Sequence, residues 1–306
     1  MIMPELPEVQ TTVTGLNKHI VGLIIRDVWS NYNSSYFKGS ETIKDSAYFS
    51  KFKKAIMGSK IISVKRRAKN VLINLNNGNT ILVHMKMTGH LLYGLYKFNP
   101  RIKPDPWEPI SPSGLKDPFN RRVRFVLSMN NGKFIALSDM RRFAKVTLIK
   151  SSELHTSIHT KDLGPEPLED KFTFAVFSER LDGKKNWKIK QALLDQTVLA
   201  GIGNIYADES LWRANIHPKN LVKSLTTSSK RKLYTAIRQT MAHGIRLGGD
   251  SMSDYRNIHG EKGGFQEKHC VYRRKGLKCL KKGCSGIIAR TVIAGRGTHF
   301  CPKHQK

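Results

Sequence analysis

The feature that most constrains this chain is a change of hydrophobic period near residue 150. Before it, apolar residues come in short β-branched runs such as Ile61-Ile62-Ser63-Val64, Val71-Leu72-Ile73-Asn74-Leu75 and Thr80-Ile81-Leu82-Val83. Such runs suit the pleated surface of a sheet. Asn76-Asn77-Gly78-Asn79 and Asn130-Asn131-Gly132 supply hairpin turns between them. Residues 22–150 thus read as an antiparallel sandwich or barrel, with the proline-rich, polar stretch 96–121 as a long surface insertion. After residue 150 the apolar spacing becomes helical, with candidate helices at 171–181, 186–195, 204–214 and 226–247. At 306 residues the chain is long for one core, so two domains and a small appendage are expected.

Other punctuation refines this division. Val9, Val13, Leu16 and Ile20 fall on one face of a leading helix from Pro7 to about Ile20. The polar stretch ending in Leu163-Gly164-Pro165-Glu166-Pro167-Leu168 reads as an interdomain hinge. Ahead of the first helix stands Met3-Pro4-Glu5. Pro4 suits a helix start, but a proline freed as an N-terminus is also a secondary amine able to form an iminium with an aldehyde-level carbon. An α-amine with a pKa of about 7.7–8.0, against about 10.4 for lysine, is partly unprotonated near neutral pH.

Charge narrows the partner. The 53 Lys and Arg against 23 Asp and Glu leave a formal +30, which calls for a polyanion, and nucleic acid fits because neutralised phosphates release counterions. No run approaches the 18 or so apolar residues of a membrane span, and no secretory signal pattern opens the chain, so a soluble intracellular protein with no membrane partner is expected, cytoplasmic or nucleoid-associated if bacterial. No interface signature stands out, and a monomer is expected.

Three of the four cysteines fall in the last 28 residues. Cys279-x4-Cys284, sixteen further residues, and Cys301-x2-His304 form two chelating pairs at the spacing of two zinc-finger knuckles. A complete set of four thiolate and imidazole ligands leaves no open position, so one structural Zn²⁺ is expected. Cys270 lies outside the pairs, and His299 is poorly spaced from Cys301. Residues 265–306 hold 11 Lys or Arg against the single acid Glu267, a composition suited to lying on phosphates. Gly201-Ile202-Gly203-Asn204 permits a tight reversal that exposes backbone N–H groups at a helix start, where a phosphate binds well.

Seven segments, in order, resemble the formamidopyrimidine-DNA glycosylase family, which includes endonuclease VIII. They are Pro4 to Val9, Arg66-Arg67-Ala68-Lys69, His84-Met85-Lys86-Met87-Thr88-Gly89, Asp139-Met140-Arg141-Arg142-Phe143, Leu163 to Leu168, Gly201 to Tyr206, and Gly295-Arg296-Gly297-Thr298. The resemblance implies an α+β protein. Its parts would be an N-terminal antiparallel β-sandwich catalytic domain with a leading helix (1–150), a hinge (151–168), a helix-two-turn-helix domain (169–264) and a zinc finger (265–306), with DNA between the two domains.

It also implies roles. Pro4 would attack C1′ of the damaged nucleotide and Glu5 would assist ring opening as a proton donor, with Lys69 and Arg296 as catalytic cations. Met87, Arg141 and Phe143 would fill the gap left by an extruded base, where an apolar wedge and a hydrogen-bonding partner are needed. Arg142, Lys185, Lys190 and Asn204 match phosphate-contact positions, Arg122 stands near where the family commonly presents a histidine, and Glu209 reads as structural. The implied activity is base-excision repair. The enzyme would remove oxidised purines, 8-oxoguanine and formamidopyrimidines, from double-stranded DNA and then cut the abasic site by β,δ-elimination. An endonuclease VIII-type oxidised-pyrimidine glycosylase and a non-catalytic, zinc-containing damaged-DNA-binding protein are the alternatives; Leu6 and Pro7 favour the purine branch.

Three departures from the family pattern stand out. The finger has x4 between its first cysteines and His304 for a fourth cysteine, and Met85-Lys86-Met87 replaces the usual Leu-Gly-Met. Met1-Ile2 precede the usual initiator. With either retained, Pro4 is locked in a tertiary amide, so initiation at Met3 followed by methionine removal is expected.

Overall fold

The structure, a computed structural model, describes residues 3–32 and 34–306. Met1 and Ile2, on which the expected start of translation turns, lie outside the described residues. The chain forms two compact units: one holds the residues up to Pro4, Glu8–Lys161 and Gly248–Gly263, the other Glu5–Pro7, Asp162–Leu247 and Gly264–Lys306. Residues 248–263, which the sequence counted with the helical region, group with the first unit.

In chain order the first unit has α1 (Leu6–Ile20, its first two residues excepted), β1 (Ile25–Ser30), α2 (Ser46–Ile56), β2 (Ile61–Arg67), β3 (Asn70–Leu75), β4 (Asn79–His84), β5 (His90–Phe98), β6 (Trp107–Ser111), β7 (Val123–Met129), β8 (Phe134–Ser138) and β9 (Lys145–Lys150). They form a five-stranded sheet ordered β1-β7-β8-β5-β6 and a four-stranded sheet ordered β2-β3-β4-β9, all antiparallel. The expected hairpin turns are present, Gly78 and Gly132 both adopting φ 77°.

Alternation decides what each strand buries. Leu91, Tyr93, Ile135 and Leu137 face a core shared with Val71, Ile73, Ile81 and Val83 of the other sheet and with Val9, Val13, Leu16 and Ile20 of α1. Each such side chain contributes roughly 1.5–3 kcal/mol by leaving water. Leu92 and Ala136, one residue out of phase, join Trp107, Leu115 and Val126 in a second cluster. The stretch 96–121 is therefore more than a surface insertion: β6 pairs with β5, and Trp107 and Leu115 cover the sheet's second face. A register shift between Val123 and Phe125 puts these neighbours-but-one in different clusters. The returning segment 248–263 docks on α1, where a Cβ at Gly15 would stand 3.0 Å from Ile258.

The second unit holds α3 (Phe174–Asp182), α4 (Ile189–Leu194), α5 (Asn204–Ala214), α6 (Thr227–Arg246) and the hairpin of β10 (Ala289–Ile293) with β11 (Arg296–Phe300). Thr173 and Thr226 cap α3 and α6 with their hydroxyls, which accept from Val176 and Ser229 N–H. Helix α4 starts later than its apolar pattern suggests because Lys188 bridges to Leu221. No helix among the described residues is long and apolar enough to cross a membrane.

Candidate active site and metal centre

Helix α5 organises the second unit. Residues Ile205 to Trp212 are all buried, so its charged side chains need internal partners. Its first N–H groups, which no intrahelical carbonyl can serve, are met by Glu5. Glu5 is 2% exposed, and its carboxylate accepts from Gly203 N (2.7 Å), Ile205 N (2.9 Å) and Tyr206 N (3.4 Å). The turn is shaped for this segment. Leu6 N donates to Gly201 O, Gly201 has φ 85°, and a Cβ at Gly203 would lie 2.4 Å from the Glu5 carboxyl carbon. The anion at this helix start is thus Glu5 itself rather than the phosphate its glycines suggest. Pro4, peptide-bonded to Glu5, is buried.

Further along α5, Asp208 is 1% exposed. Its Oδ1 accepts from Lys190 Nζ at 2.6 Å, and its Oδ2 from His299 N at 2.8 Å. Lys190 Nζ also donates to Asn204 O at 2.8 Å, and Asn204 Nδ2 to Gly297 O at 2.9 Å. Lys190 is 0% exposed and spends two of its three Nζ donors on these internal acceptors, so its charge is engaged inside the fold in this structure. Asn204 likewise spends a donor on the hairpin. Lys185 is exposed in the connection between α3 and α4. Arg296 is exposed beside the Ala294-Gly295 turn, whose φ angles of 48° and 71° fit a tight hairpin.

Glu209, buried, accepts from the N–H groups of Cys270, Val271 and Tyr272 at 2.8–3.1 Å, as a structural reading expects. Burial nevertheless pushes its carboxyl above the ordinary value.

The four predicted ligands do converge. Ligand atoms of Cys279, Cys284, Cys301 and His304 lie within 4.8 Å of one another, so the residues can hold a metal ion. Second partners favour it. The His304 Nε2 lies 3.3 Å from Trp212 O, which turns Nδ1 toward the sulfurs. Trp212 Nε1 and Lys281 N each donate to Cys279 Sγ at 3.4 Å, and Gly286 N to Cys284 Sγ at 3.4 Å. The Gly286 N–H bond holds the Cys284 thiol below its usual value. A Cβ at Gly286 would stand 2.6 Å from Cys301 Sγ, so the cradle admits only glycine without displacement.

The first unit brings Met87, Arg141 and Phe143 together from two loops. Arg141 lies 4.3 Å over the Phe143 ring, and its guanidinium is 3.6 Å from Met87 Sδ. These three, with Lys44, Lys86 and Met3, line a cavity of about 950 Å³. Met3 precedes Pro4, so the cavity adjoins the candidate nucleophile. Lys86 takes φ 54°, a conformation glycine reaches at no cost, and its N–H bonds to His84 Nδ1 at 3.0 Å. Burial and the Lys86 and Lys69 charges hold the His84 imidazole below its ordinary value, in keeping with an acceptor. Lys69 sits half-buried in the turn joining β2 to β3. Arg142 is exposed but spends a donor on Asn31 O at 2.9 Å. Arg122 pairs with Asp105 at 2.5 Å, which leaves it partly neutralised.

Sequence reasoning missed Asp139 as the anchor of this loop. Fully buried, it accepts from Tyr32 Oη (2.7 Å), Thr88 Oγ1 (2.5 Å) and Ala144 N (2.8 Å). The available signal was an acid immediately before the exposed Met140-Arg141-Arg142-Phe143 segment.

Comparison with known proteins agrees with this geometry. Residues 3–146 match the formamidopyrimidine-DNA glycosylase N-terminal domain, and residues 163–256 the formamidopyrimidine-DNA glycosylase H2TH domain. The chain is 37% identical over 304 residues to the formamidopyrimidine-DNA glycosylase of Heliobacterium modesticaldum, covering 99% of this chain and 100% of the relative. Among solved structures, the Lactococcus lactis Fpg in complex with an abasic site containing DNA shares 30% identity at a TM-score of 0.79, covering 97% of this chain and 98% of that one. The MutM (Fpg) protein of Thermus thermophilus shares 34% identity at a TM-score of 0.76, covering 98% of this chain and 97% of that one.

Proposed function

Because this chain belongs to the formamidopyrimidine-DNA glycosylase family, we propose that it is a base-excision repair enzyme, a DNA glycosylase with abasic-site lyase activity on damaged double-stranded DNA. Its substrates are oxidised purines, 8-oxoguanine and formamidopyrimidines. The observation that carries this reading is the fixing of Glu5 on the N-terminal turn of α5, with Met3 against the Met87, Arg141 and Phe143 cavity. Pro4 is peptide-bonded to both Met3 and Glu5.

In the proposed reaction the free secondary amine of Pro4 attacks C1′. A C1′–N bond to proline forms as the bond to the damaged base breaks, and the base leaves with the proton that the proline nitrogen gives up. Glu5 donates a proton to the ring oxygen as the sugar opens, giving an iminium between C1′ and the proline nitrogen. That iminium acidifies C2′–H, so the 3′ phosphate leaves by β-elimination and the 5′ phosphate by δ-elimination. Lys69 and Arg296 supply positive charge near the departing phosphates, and Lys185 and Arg142 hold the backbone without reading sequence. Met87, Arg141 and Phe143 occupy the space the base vacates.

Cys279, Cys284, Cys301 and His304 fit one Zn²⁺: three thiolates and an imidazole make a closed tetrahedral set whose job is to fold the finger. Chelation should therefore loosen the hairpin that presents Arg296 and weaken DNA binding. Unchanged affinity after verified zinc loss would contradict this.

Borohydride trapping on duplexes carrying 8-oxoguanine or an oxidised pyrimidine tests the chemistry. The expected result is a covalent adduct, faster on the purine lesion, whose mass maps to a chain beginning at Pro4. Preference for the pyrimidine lesion would overturn the substrate assignment. DNA binding with no adduct would support the non-catalytic alternative.

A further inference from the structure

A second basic surface lies on the second unit at the other end of α5. The 20 residues of α6 include no Asp or Glu but carry Lys230, Arg231, Lys232, Arg238, His243 and Arg246. Two hollows of about 610 and 470 Å³ run along it and share Arg213 and Gln239 in their walls. Neither wall contains a carboxylate.

Part of this charge is already engaged. Lys230 pairs with Asp182 at 2.5 Å, Arg238 donates to Pro167 O at 2.9 Å, and Arg231 lies 4.1 Å over the Phe174 ring. Arg213, Lys232 and Arg246 make no side-chain hydrogen bond or ion pair among the described residues, and all three are exposed. The field they leave is visible at His243, whose imidazole is held below its ordinary value by burial and then by the Arg246, Arg213 and Lys268 charges. Concave, uncompensated positive surface of this kind concentrates polyanions. It is also separate from the catalytic turn: Asn204 and Arg213 are nine residues apart on α5, about 14 Å of helix rise.

We propose that the hollows between α5 and α6 bind the phosphate backbone of a second DNA segment while a lesion-bearing segment occupies the active site. This rests on the proposed function only for the first segment. A protein with two such sites can hold the next stretch of duplex before releasing the last.

The test saturates the protein with a short duplex carrying a stable abasic-site analogue, then titrates a fluorescent undamaged duplex by anisotropy over a range of salt. Binding of the second duplex is expected. The double variant Arg213→Glu/Arg246→Glu should weaken it about tenfold or more and lower the salt slope by about 2, as loss of two phosphate contacts requires. Affinity for the first duplex should stay within about twofold by the same reasoning. Lys51→Glu/Lys54→Glu, on exposed positions of α2, makes the same charge change elsewhere. Failure to bind a second duplex, or equal losses in the two double variants, overturns the proposal. If the abasic duplex itself does not bind, the proposed function fails instead, and the undamaged duplex alone still compares the two variants.

Discussion

Two buried carboxylates each hold a candidate functional turn with three hydrogen bonds, and they do so over very different spans of chain. Asp139 serves a loop of which it is itself the first residue: Ala144 N is five residues away, and Tyr32 and Thr88 supply hydroxyls. Glu5 serves a turn about 200 residues away, taking N–H bonds from residues 203, 205 and 206. The Asp139 anchor shapes a surface, whereas the Glu5 anchor places the segment that carries the proposed nucleophile. Losing the first should cost stability and wedge order, and losing the second should cost chemistry.

Glu5→Gln breaks this comparison most severely. The amide keeps one acceptor oxygen and turns an NH₂ toward backbone donors, which costs about 1–2 kcal/mol of capping stability. Loss of the proton donor should cost about a hundredfold or more in excision, with DNA binding retained. Single-turnover excision beside a binding titration checks it. Excision at the wild-type rate would remove Glu5 from the mechanism.

Lys190→Met probes how firmly α5 is held. Leaving Asp208 buried without its cation should cost about 3–5 kcal/mol in urea unfolding. The double variant Lys190→Met/Asp208→Leu should recover much of that, though His299 N–H then loses its acceptor. A single-variant loss below about 1 kcal/mol would mean that water replaces the pair.

Legibility in the sequence follows the same division. The alternating strands and the Asn-Gly turns were readable because their partners are near in sequence, and the Cys279, Cys284, Cys301 and His304 cluster because two pairs with short spacings leave few other arrangements. The Glu5 contact was not. Gly201 and Gly203 announced a turn with exposed N–H groups, but nothing local said whether a phosphate or a carboxylate would fill it. The Lys190–Asp208 pair was hidden for a related reason. Lys190 was singled out only by its match to a phosphate-contact position, and nothing near it in sequence names the acid on α5 that engages it. Trp107 and Leu115 were discounted because proline and polar neighbours masked two core side chains.

Acid should test the first unit next. His90 is 1% exposed, and its Nε2 lies 2.8 Å from Asn120 Oδ1. The Asn120 Nδ2 already donates to Gly114 O and Gly260 O, so the His90 Nε2 is the donor. Burial pushes its pKa down to about 4 from 6.5. The folded state thus binds this proton later than the unfolded one. Its stability contribution is complete above about pH 6.5 and is lost as pH falls toward 4, by about 3 kcal/mol in all. His90→Gln should flatten that part of the pH–stability curve; an unchanged slope would place the titration elsewhere.

Tyr32→Phe makes the smallest cut and separates anchoring from burial. Burial and the Asp139 charge raise the Tyr32 phenol well above its usual value, so it remains a donor throughout the working pH range. Removing it takes one of three hydrogen bonds from a buried carboxylate and leaves the ring in the core, at a cost of about 1.5–3 kcal/mol for a bond to a charged group. Asp139→Asn should cost at least as much, because the amide can accept on one oxygen only and must point its NH₂ at a donor. If the two anchors differ as argued, both variants should reduce wedge order around Arg141 and Phe143 and leave the rate of Schiff-base formation on an already abasic duplex nearly unchanged. That reaction needs no base extruded. A large loss there from Tyr32→Phe would mean that the Asp139 loop also positions Pro4, and that the two anchors act as one.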